Sequence, residues 1–397
     1  MTVVHSISRA WLTAGGTGAQ NYDEFADDSE ITAIISANPH SSLAIEMPHL
    51  APESVGKSFA DSLPDAVARL ALERAEGSYH PAEHVVVLYR ITAPGEPAAY
   101  GLWSMVDTDQ ISASADEPGL VIRNEDVFIE KVRERVALAA ALGTLLSPVL
   151  LLQTAKGDEL HAALAAATDA AGEPAARDTD QTGRTHEIWP VGPGELQDRL
   201  TELAGGGELV VADGNHRSLA AQTGLLPRFL AVVTTPASVA IQPYNRLVSE
   251  LPIPLDDVLA GLRDRGATVT EVPRPAGIPA KGTIELYVDG RTFVAGLPAD
   301  AARPPVENLD HALVERVLLG GVLGLEPGDK RISYIGGDYP AEWLRDEVDK
   351  GADLAVLIAP VSVDDFVAVN LERQKLPRKS TWFTPKARGG LVLAQLG

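Results

Sequence analysis

Glu208-Leu209-Val210-Val211-Ala212-Asp213-Gly214-Asn215-His216-Arg217 decides how the chain is read. Leu209 to Ala212 form a short unbroken apolar run, the pattern of a strand buried on both faces. Asp213-Gly214 ends the run, and from Ser218 the residues suit a helix. A strand that turns through glycine into a helix leaves the first helical amides aimed at one place. That place is also the positive end of the helix dipole, so it forms an anion site. Arg217, in the first turn, adds a bidentate donor for phosphate. Asp213, at the strand end, is placed to hold a metal ion or a hydroxyl donor. The same residues also spell an ordinary Asp-Gly turn with an N-cap, in which His216 and Arg217 are merely solvated.

Outward from this stretch, strands and helices alternate without a strict βαβ rhythm. His186–Val191 reads as a strand, residues 194–204 as a helix and Gly205-Gly206-Gly207 as a turn. Upstream, Val149–Leu152 reads as a buried strand. A helix ending near Leu142 presents Val132, Val136 and Ala139 at core spacing. His84–Tyr89 is a strong strand with Tyr100–Trp103 as partner, residues 64–75 a helix with Val67, Leu70 and Leu72 inward, and Leu43-Ala44-Ile45 a short strand. Residues 157–185 read as a helix followed by an exposed loop, and the C-terminal third mixes both element types again. The expectation is an α+β fold in three segments: an N-terminal region 1–105, a core 106–250 and a C-terminal region 251–397. The last is open to packing with the first.

Composition narrows the function. The 397 residues hold 33 Lys+Arg against 55 Asp+Glu, a net charge of −22, which repels nucleic acid and anionic lipid. With no cysteine, thiolate, disulfide and cysteine-nucleophile chemistry are excluded. Met1-Thr2-Val3-Val4-His5 lacks the basic and apolar regions of a secretory signal. The uncharged stretch between Arg135 and Lys156 is broken by Gly143-Thr144 and Ser147-Pro148. It therefore reads as a helix end plus a strand rather than a membrane span. The chain reads as cytoplasmic. Gly15-Gly16-Thr17-Gly18 lacks the Gly-Lys-Ser/Thr end of a P-loop and reads as a flexible loop.

Two further segments carry chemistry. Arg123-Asn124-Glu125-Asp126 sets adjacent carboxylates between a strand and a helix, where they serve as a general base or a Mg²⁺ site, or simply cap the helix. Lys379-Ser380-Thr381-Trp382, ringed by Lys375, Arg378, Lys386 and Arg388, concentrates positive charge in an acidic chain. It suits a nucleotide phosphate, with Trp382 stacking on a base. It equally fits a lysine-rich turn whose tryptophan is anchored in the core.

These segments, with Asn21-Tyr22-Asp23, Asn38-Pro39-His40-Ser41 and Arg331-Ile332-Ser333-Tyr334, occur in an order that resembles a family long described as a domain of unknown function. Its understood relatives are free L-serine kinases with a ParB/sulfiredoxin-like domain. The resemblance implies a ParB/sulfiredoxin-like core flanked by α+β segments. It also implies a phosphotransferase that moves a phosphoryl group from ATP or ADP, with Mg²⁺, to the hydroxyl of free L-serine or a similar hydroxy amino acid. In those kinases Arg123-Asn124-Glu125 ordinarily reads Arg-His-Glu, which gives the catalytic-base role to Glu125. The segment 213–217 ordinarily reads Asp-Gly-His-His-Arg, which gives phosphate contact to Gly214, Asn215, His216 and Arg217, and a catalytic or Mg²⁺-linked role to Asp213. Lys379, Ser380 and Thr381 join the nucleotide contacts as the basic cluster. Asn124 and Asn215 each replace a histidine. They leave open the alternative of a non-catalytic nucleotide- or ligand-sensing protein of the same fold. The partners expected are a small-molecule acceptor and a nucleotide, with neither nucleic acid nor membrane.

Overall fold

Tyr79–Thr92 is the longest strand of the protein, and three other strands take their register from it. Its first half pairs with Ile7–Thr13, and its second half with Ala99–Asp107 and Thr185–Val191, all antiparallel. Its mostly exposed start, His80–His84, gives way at Val85–Tyr89 to a continuous buried run, as a strand covered on both faces requires. The computed structural model describes the whole chain except residues 1, 19, 26, 113–118, 126, 128 and 274–276. Asp126, named above beside Glu125, lies outside the described residues.

The described residues divide into two compact units, Met1–Val239 with Pro385–Gly397, and Ala240–Thr384. The expected boundary near 105 does not appear. It falls inside Ala99–Asp107, whose residues 101–107 pair with Arg228–Thr234, so residues on either side belong to one sheet. The expected boundary near 250 lies instead at 239/240, and the last thirteen residues, 385–397, return to the first unit. There Val392–Gln395 pairs with Ile7–Thr13.

The first unit is a mixed α+β structure around one curled sheet, in which Leu209–Asp213 lies between Val121–Ile122 (parallel) and Val149–Gln153 (antiparallel). Val86, Leu88, Leu102, Leu151, Val211 and Val233 fill its core, covered by the helices Gly157–Ala170 and Glu195–Ala204. Each such side chain contributes roughly 1.5–3 kcal/mol through burial. The second unit is a six-stranded antiparallel sheet, with Leu286, Val356 and Leu318 in one core layer and Leu344, Ala355 and Leu357 in another.

Several local expectations are corrected. Leu43-Ala44-Ile45 is helical (Leu43–Glu46) because the carbonyls of Ser41 and Ser42 accept from the amides of Ala44, Ile45 and Glu46. A three-residue apolar run does not distinguish helix from strand. In the helix Phe59–Ala75 the buried stripe runs through Phe59, Ser62, Ala66, Leu70 and Glu73, which leaves Val67 and Leu72 beside it and exposed. Ala176–Thr179, expected as loop, is a strand paired with Thr185–Ile188. No helix among the described residues is long and apolar enough to cross a membrane.

Candidate functional site

Parallel pairing brings the two motifs together. Val121 lies opposite Leu209 and Ile122 opposite Val210, so the two strands run side by side toward the same edge of the sheet. One runs out into Arg123-Asn124-Glu125 and the other into Asp213-Gly214-Asn215-His216-Arg217. A direct hydrogen bond joins them, Asn215 Nδ2 donating to Asn124 Oδ1 at 2.8 Å, with both side chains buried. Glu125 follows at once, half-buried.

The strand–turn–helix expected at Asp213 is present. The strand ends at Asp213, Gly214 takes the left-handed conformation (φ 95°), and the helix Asn215–Thr223 begins. Glycine is required there twice over: a Cβ would stand 2.9 Å from Arg217 Nε and 3.2 Å from the Val149 Cα. Arg217 folds back over this turn and pairs with Asp213, and its Nη2 lies 3.8 Å from Asp23 Oδ2. Burial works against the guanidinium charge. Asp213 and Asp23 beside it more than restore it, so the arginine pKa is raised.

The returning C-terminal segment supplies the opposite wall. Asn21 fixes it at two points, donating from Nδ2 to the Ala387 carbonyl (2.9 Å) and accepting from the Gly389 amide (2.8 Å). Lys386 is thereby buried with Nζ 3.9 Å from both Asp213 Oδ1 and Glu24 Oε1. Arg388 pairs with Glu24 and, at 2.9 Å, with Asp180 Oδ2. Burial pushes the Glu24 carboxyl pKa up, and Arg388 and Lys386 only partly offset it. Behind this pair runs a buried chain: Tyr89 Oη to His186 Nδ1 at 2.6 Å and His186 Nε2 to Asp180 at 3.1 Å. Burial lowers the His186 pKa, and Asp180 opposes that shift through its hydrogen bond. The neutral ring then donates from Nε2 to Asp180 and accepts a hydrogen bond from the Tyr89 hydroxyl at Nδ1.

Three cations (Arg217, Lys386, Arg388) thus face four carboxylates (Asp23, Glu24, Asp180, Asp213). A cluster so nearly neutral admits a polyphosphate most readily together with a divalent cation. Among the described residues no group of three or more His, Asp or Glu side chains converges as a self-contained metal site. A nucleotide-borne Mg²⁺ needs only one or two carboxylates, with phosphate and water completing its shell. Asp213 and Asp23, whose side chains are 19% and 22% exposed, fit that requirement.

Residues 15–312 match the model of a family described as a protein of unknown function, DUF1015. The chain belongs to the DUF1015 family. No curated protein matches it in sequence. Among solved structures, a free serine kinase in complex with AMP is similar at 13% identity, covering 71% of this chain and 87% of its own, with a TM-score of 0.39. A conserved hypothetical protein from Pyrococcus furiosus is similar at 13% identity, covering 72% and 93%, with a TM-score of 0.39. SbnI from Staphylococcus aureus, truncated at its C-terminus, is similar at 14% identity, covering 72% and 84%, also with a TM-score of 0.39.

Of the residues singled out in this DUF1015 chain by sequence, Asn124, Glu125, Asp213, Gly214, Asn215, His216 and Arg217 therefore fall at one sheet end. Lys379, Ser380 and Thr381 lie in the second unit. There Lys379 has φ 56° and its carbonyl accepts from Arg246. Ser380 is buried with its hydroxyl donated to the Pro377 carbonyl at 2.6 Å. Trp382 is buried edge-on to Tyr244. Sequence reasoning placed Asp23 in a motif without a role, and Lys386 and Arg388 only in a basic ring. It passed over Glu24, Asp180 and the role of His186. The surplus of positive charge near the C-terminus was the available signal. Gly15-Gly16-Thr17-Gly18, expected to be flexible, is tied down: the Asp178 carboxylate accepts from the Thr17 amide at 2.9 Å, its hydroxyl at 3.1 Å and the Gly18 amide at 3.2 Å.

Proposed function

We propose that this chain is a small-molecule kinase, transferring a phosphoryl group from ATP or ADP to the hydroxyl of free L-serine or a similar hydroxy amino acid. The observation that carries the reading is the Asn124–Asn215 hydrogen bond, which holds the Glu125 loop against the turn at Asp213–Arg217. Phosphoryl transfer asks mainly for positioning and charge neutralisation. In this reading the first-turn amides, with His216, Arg217 and Lys386, hold the transferable phosphates. Asp213 and Asp23 hold the Mg²⁺ that accompanies them, and that ion supplies neutralisation of phosphate charge. Glu125 accepts the acceptor's hydroxyl proton as that oxygen bonds to phosphorus. The bond from phosphorus to the bridging oxygen breaks, and the nucleotide leaves one phosphate shorter. The residues from 106 that carry both motifs are read as the ParB-like core.

The test is a phosphorus NMR time course with Mg²⁺ and either ATP or ADP, with and without L-serine. A phosphomonoester signal that appears only with serine is the expected result, and Glu125→Gln abolishes it while nucleotide still binds. Nucleotide binding with no new ester from either donor favours the sensing protein, and full activity of Glu125→Gln removes that residue from the mechanism.

A further inference from the structure

Arg217 belongs both to the turn at Asp213 and to the lining of a cavity. Within the first unit, a cavity of about 120 Å³ lies between the helices Ile129–Leu142 and Asn215–Thr223. Its walls include Val136, Leu145, Leu146, Leu226, Phe229 and Leu230, and its polar end is formed by Glu46, Arg135, Ser147 and Arg217. Both arginines and Glu46 are more than nine-tenths buried. Arg135 is committed: it stacks 4.4 Å above the Tyr22 ring and donates to the Glu46 carbonyl at 3.2 Å. Arg217 is not. Its Nε and Nη1 meet no hydrogen-bond acceptor among the described residues, although Nη2 is held by Asp213. Buried guanidinium donors are almost always satisfied, and unfilled space in a core is destabilising. Unmet donors on a residue that lines an apolar cavity therefore point to a ligand with an acceptor head and a hydrocarbon body.

The space resembles an engineered cavity of about 150 Å³ that admits benzene, so it accommodates roughly six heavy atoms. The single methylene of serine would leave these walls bare. We propose that the cavity receives the body of the acceptor, which makes the acceptor a branched aliphatic hydroxy acid of about five to seven carbons. Its carboxylate is taken by the Arg217 donors that Asp213 leaves unmet, Nη2 staying on the Asp213 side with the phosphates, and its hydroxyl is presented to the phosphate cradle. Glu46, at the same end, is the partner for an α-ammonium group where the acid carries one. The inference rests on the kinase reading and narrows its substrate class.

Two measurements on the full chain test it. Calorimetric titration with 4-methylpentanoate, which has no hydroxyl to phosphorylate, reads the cavity alone. Kinetics with Mg²⁺, ATP or ADP, and either 2-hydroxy-4-methylpentanoate or L-serine read the acceptor. The expected results are binding of 4-methylpentanoate, weakened at least tenfold by Ala139→Phe, and at least tenfold higher kcat/KM for the branched acid than for serine. That preference is lost in Ala139→Phe. Val136→Phe fills the same space from another position if Ala139→Phe fails to fold, and binding to the unaltered chain decides independently of both. No binding of 4-methylpentanoate, or serine used equally well by the chain and a folded cavity variant, overturns the proposal while leaving the kinase standing. Binding of 4-methylpentanoate without transfer to any acceptor overturns the kinase and the acceptor role together. In that case a carboxylate site that does not serve transfer remains.

Discussion

Each unit of this protein buries an arginine, and the two are used differently. Arg246 in the second unit is fully buried, and all three of its nitrogens have partners: Nη1 donates to the carbonyls of Tyr244 and Lys379 at 3.0 Å each, while Nε and Nη2 reach Glu315 at 3.3 and 3.2 Å. The Tyr334 ring lies beneath it at 4.4 Å. Arg217 in the first unit is almost as buried. It keeps two nitrogens unmet, and its carboxylate partners are partly exposed. Between these two arginines burial is nearly the same and the engagement of the donors differs. Arg246, with every nitrogen engaged, ties loops together, whereas Arg217, held on one side, is the arginine that the proposed acceptor would complete.

Exchanging each arginine for lysine is the strongest way to break that contrast. A lysine keeps the charge but loses the planar fork. Arg217→Lys is expected to cut phosphoryl transfer on the order of 10²- to 10³-fold, the usual effect of losing one donor to a transition-state oxyanion. Arg246→Lys is expected to leave the transfer rate of the folded protein unchanged. It should lower stability by about 1–3 kcal/mol for each buried carbonyl left without a donor, because an ammonium keeps the charge opposite Glu315 but cannot reach the carbonyls of Tyr244 and Lys379 together with it. Steady-state phosphorylation and urea denaturation, run on both variants, separate the two effects. A fall in transfer with Arg246→Lys in folded protein would dissolve the distinction.

A buried histidine in each unit sharpens the comparison by pH. His311 is fully buried, donates from Nε2 to the Tyr244 carbonyl at 3.0 Å, and has its pKa pushed down to about 3 by burial and by Arg246. The unfolded chain takes up that proton below about pH 6.5 and the folded chain does not, so stability falls as pH drops from there toward 3. By pH 5 the loss from this group reaches about 2 kcal/mol. His186 shifts in the same direction, with the Asp180 hydrogen bond opposing the effect of burial. The fall of the urea midpoint between pH 7.5 and 5 should therefore flatten in His311→Gln, and a slope unchanged from the parent would show that this ring does not set the pH dependence.

The Asn124–Asn215 bridge comes next in size. Asn124→Ala leaves a buried carboxamide donor on Asn215 without its acceptor, a cost of about 1–3 kcal/mol, and frees the Glu125 loop. The expected signature is a loss in kcat larger than any change in nucleotide Kd, since the amides at 214–217 are untouched. A loss confined to nucleotide Kd would place the bridge in the phosphate cradle rather than in the positioning of Glu125.

What the sequence disclosed follows from how locally each feature is encoded. The turn at Asp213-Gly214 was legible because strand, glycine and helix are consecutive. The α+β class was legible because Tyr79–Thr92 and its neighbours carry their own patterning. Glu24 and Arg388 were not legible as a pair. They stand 364 residues apart in the chain and meet only because the C-terminal segment returns beside Asn21. The same return hid the two-unit division, since a boundary drawn along the chain cannot show that 385–397 belongs with 1–239. The cavity beside Arg217 was equally hidden, because its walls come from both ends of the first unit.

Lys379 is expected to show the smallest effect and tests the contrast where it is finest. Its side chain was a candidate nucleotide contact, but the structure uses its backbone: the carbonyl accepts from Arg246, and φ is 56°. Lys379→Gly keeps that carbonyl and removes the Cβ clash of the left-handed conformation, a gain of about 1–2 kcal/mol. Against this stand glycine's added backbone entropy, about 0.5–1 kcal/mol, and the lost approach of Nζ to the Tyr244 ring, about 0.5–1 kcal/mol. The terms nearly cancel, so stability should stay within about 1 kcal/mol of the parent. If the turn serves Arg246 alone, nucleotide Kd is unchanged as well. A severalfold rise in Kd at unchanged stability would instead restore the ammonium as a nucleotide contact, and satisfaction of Arg246 would then no longer mark this region as purely structural.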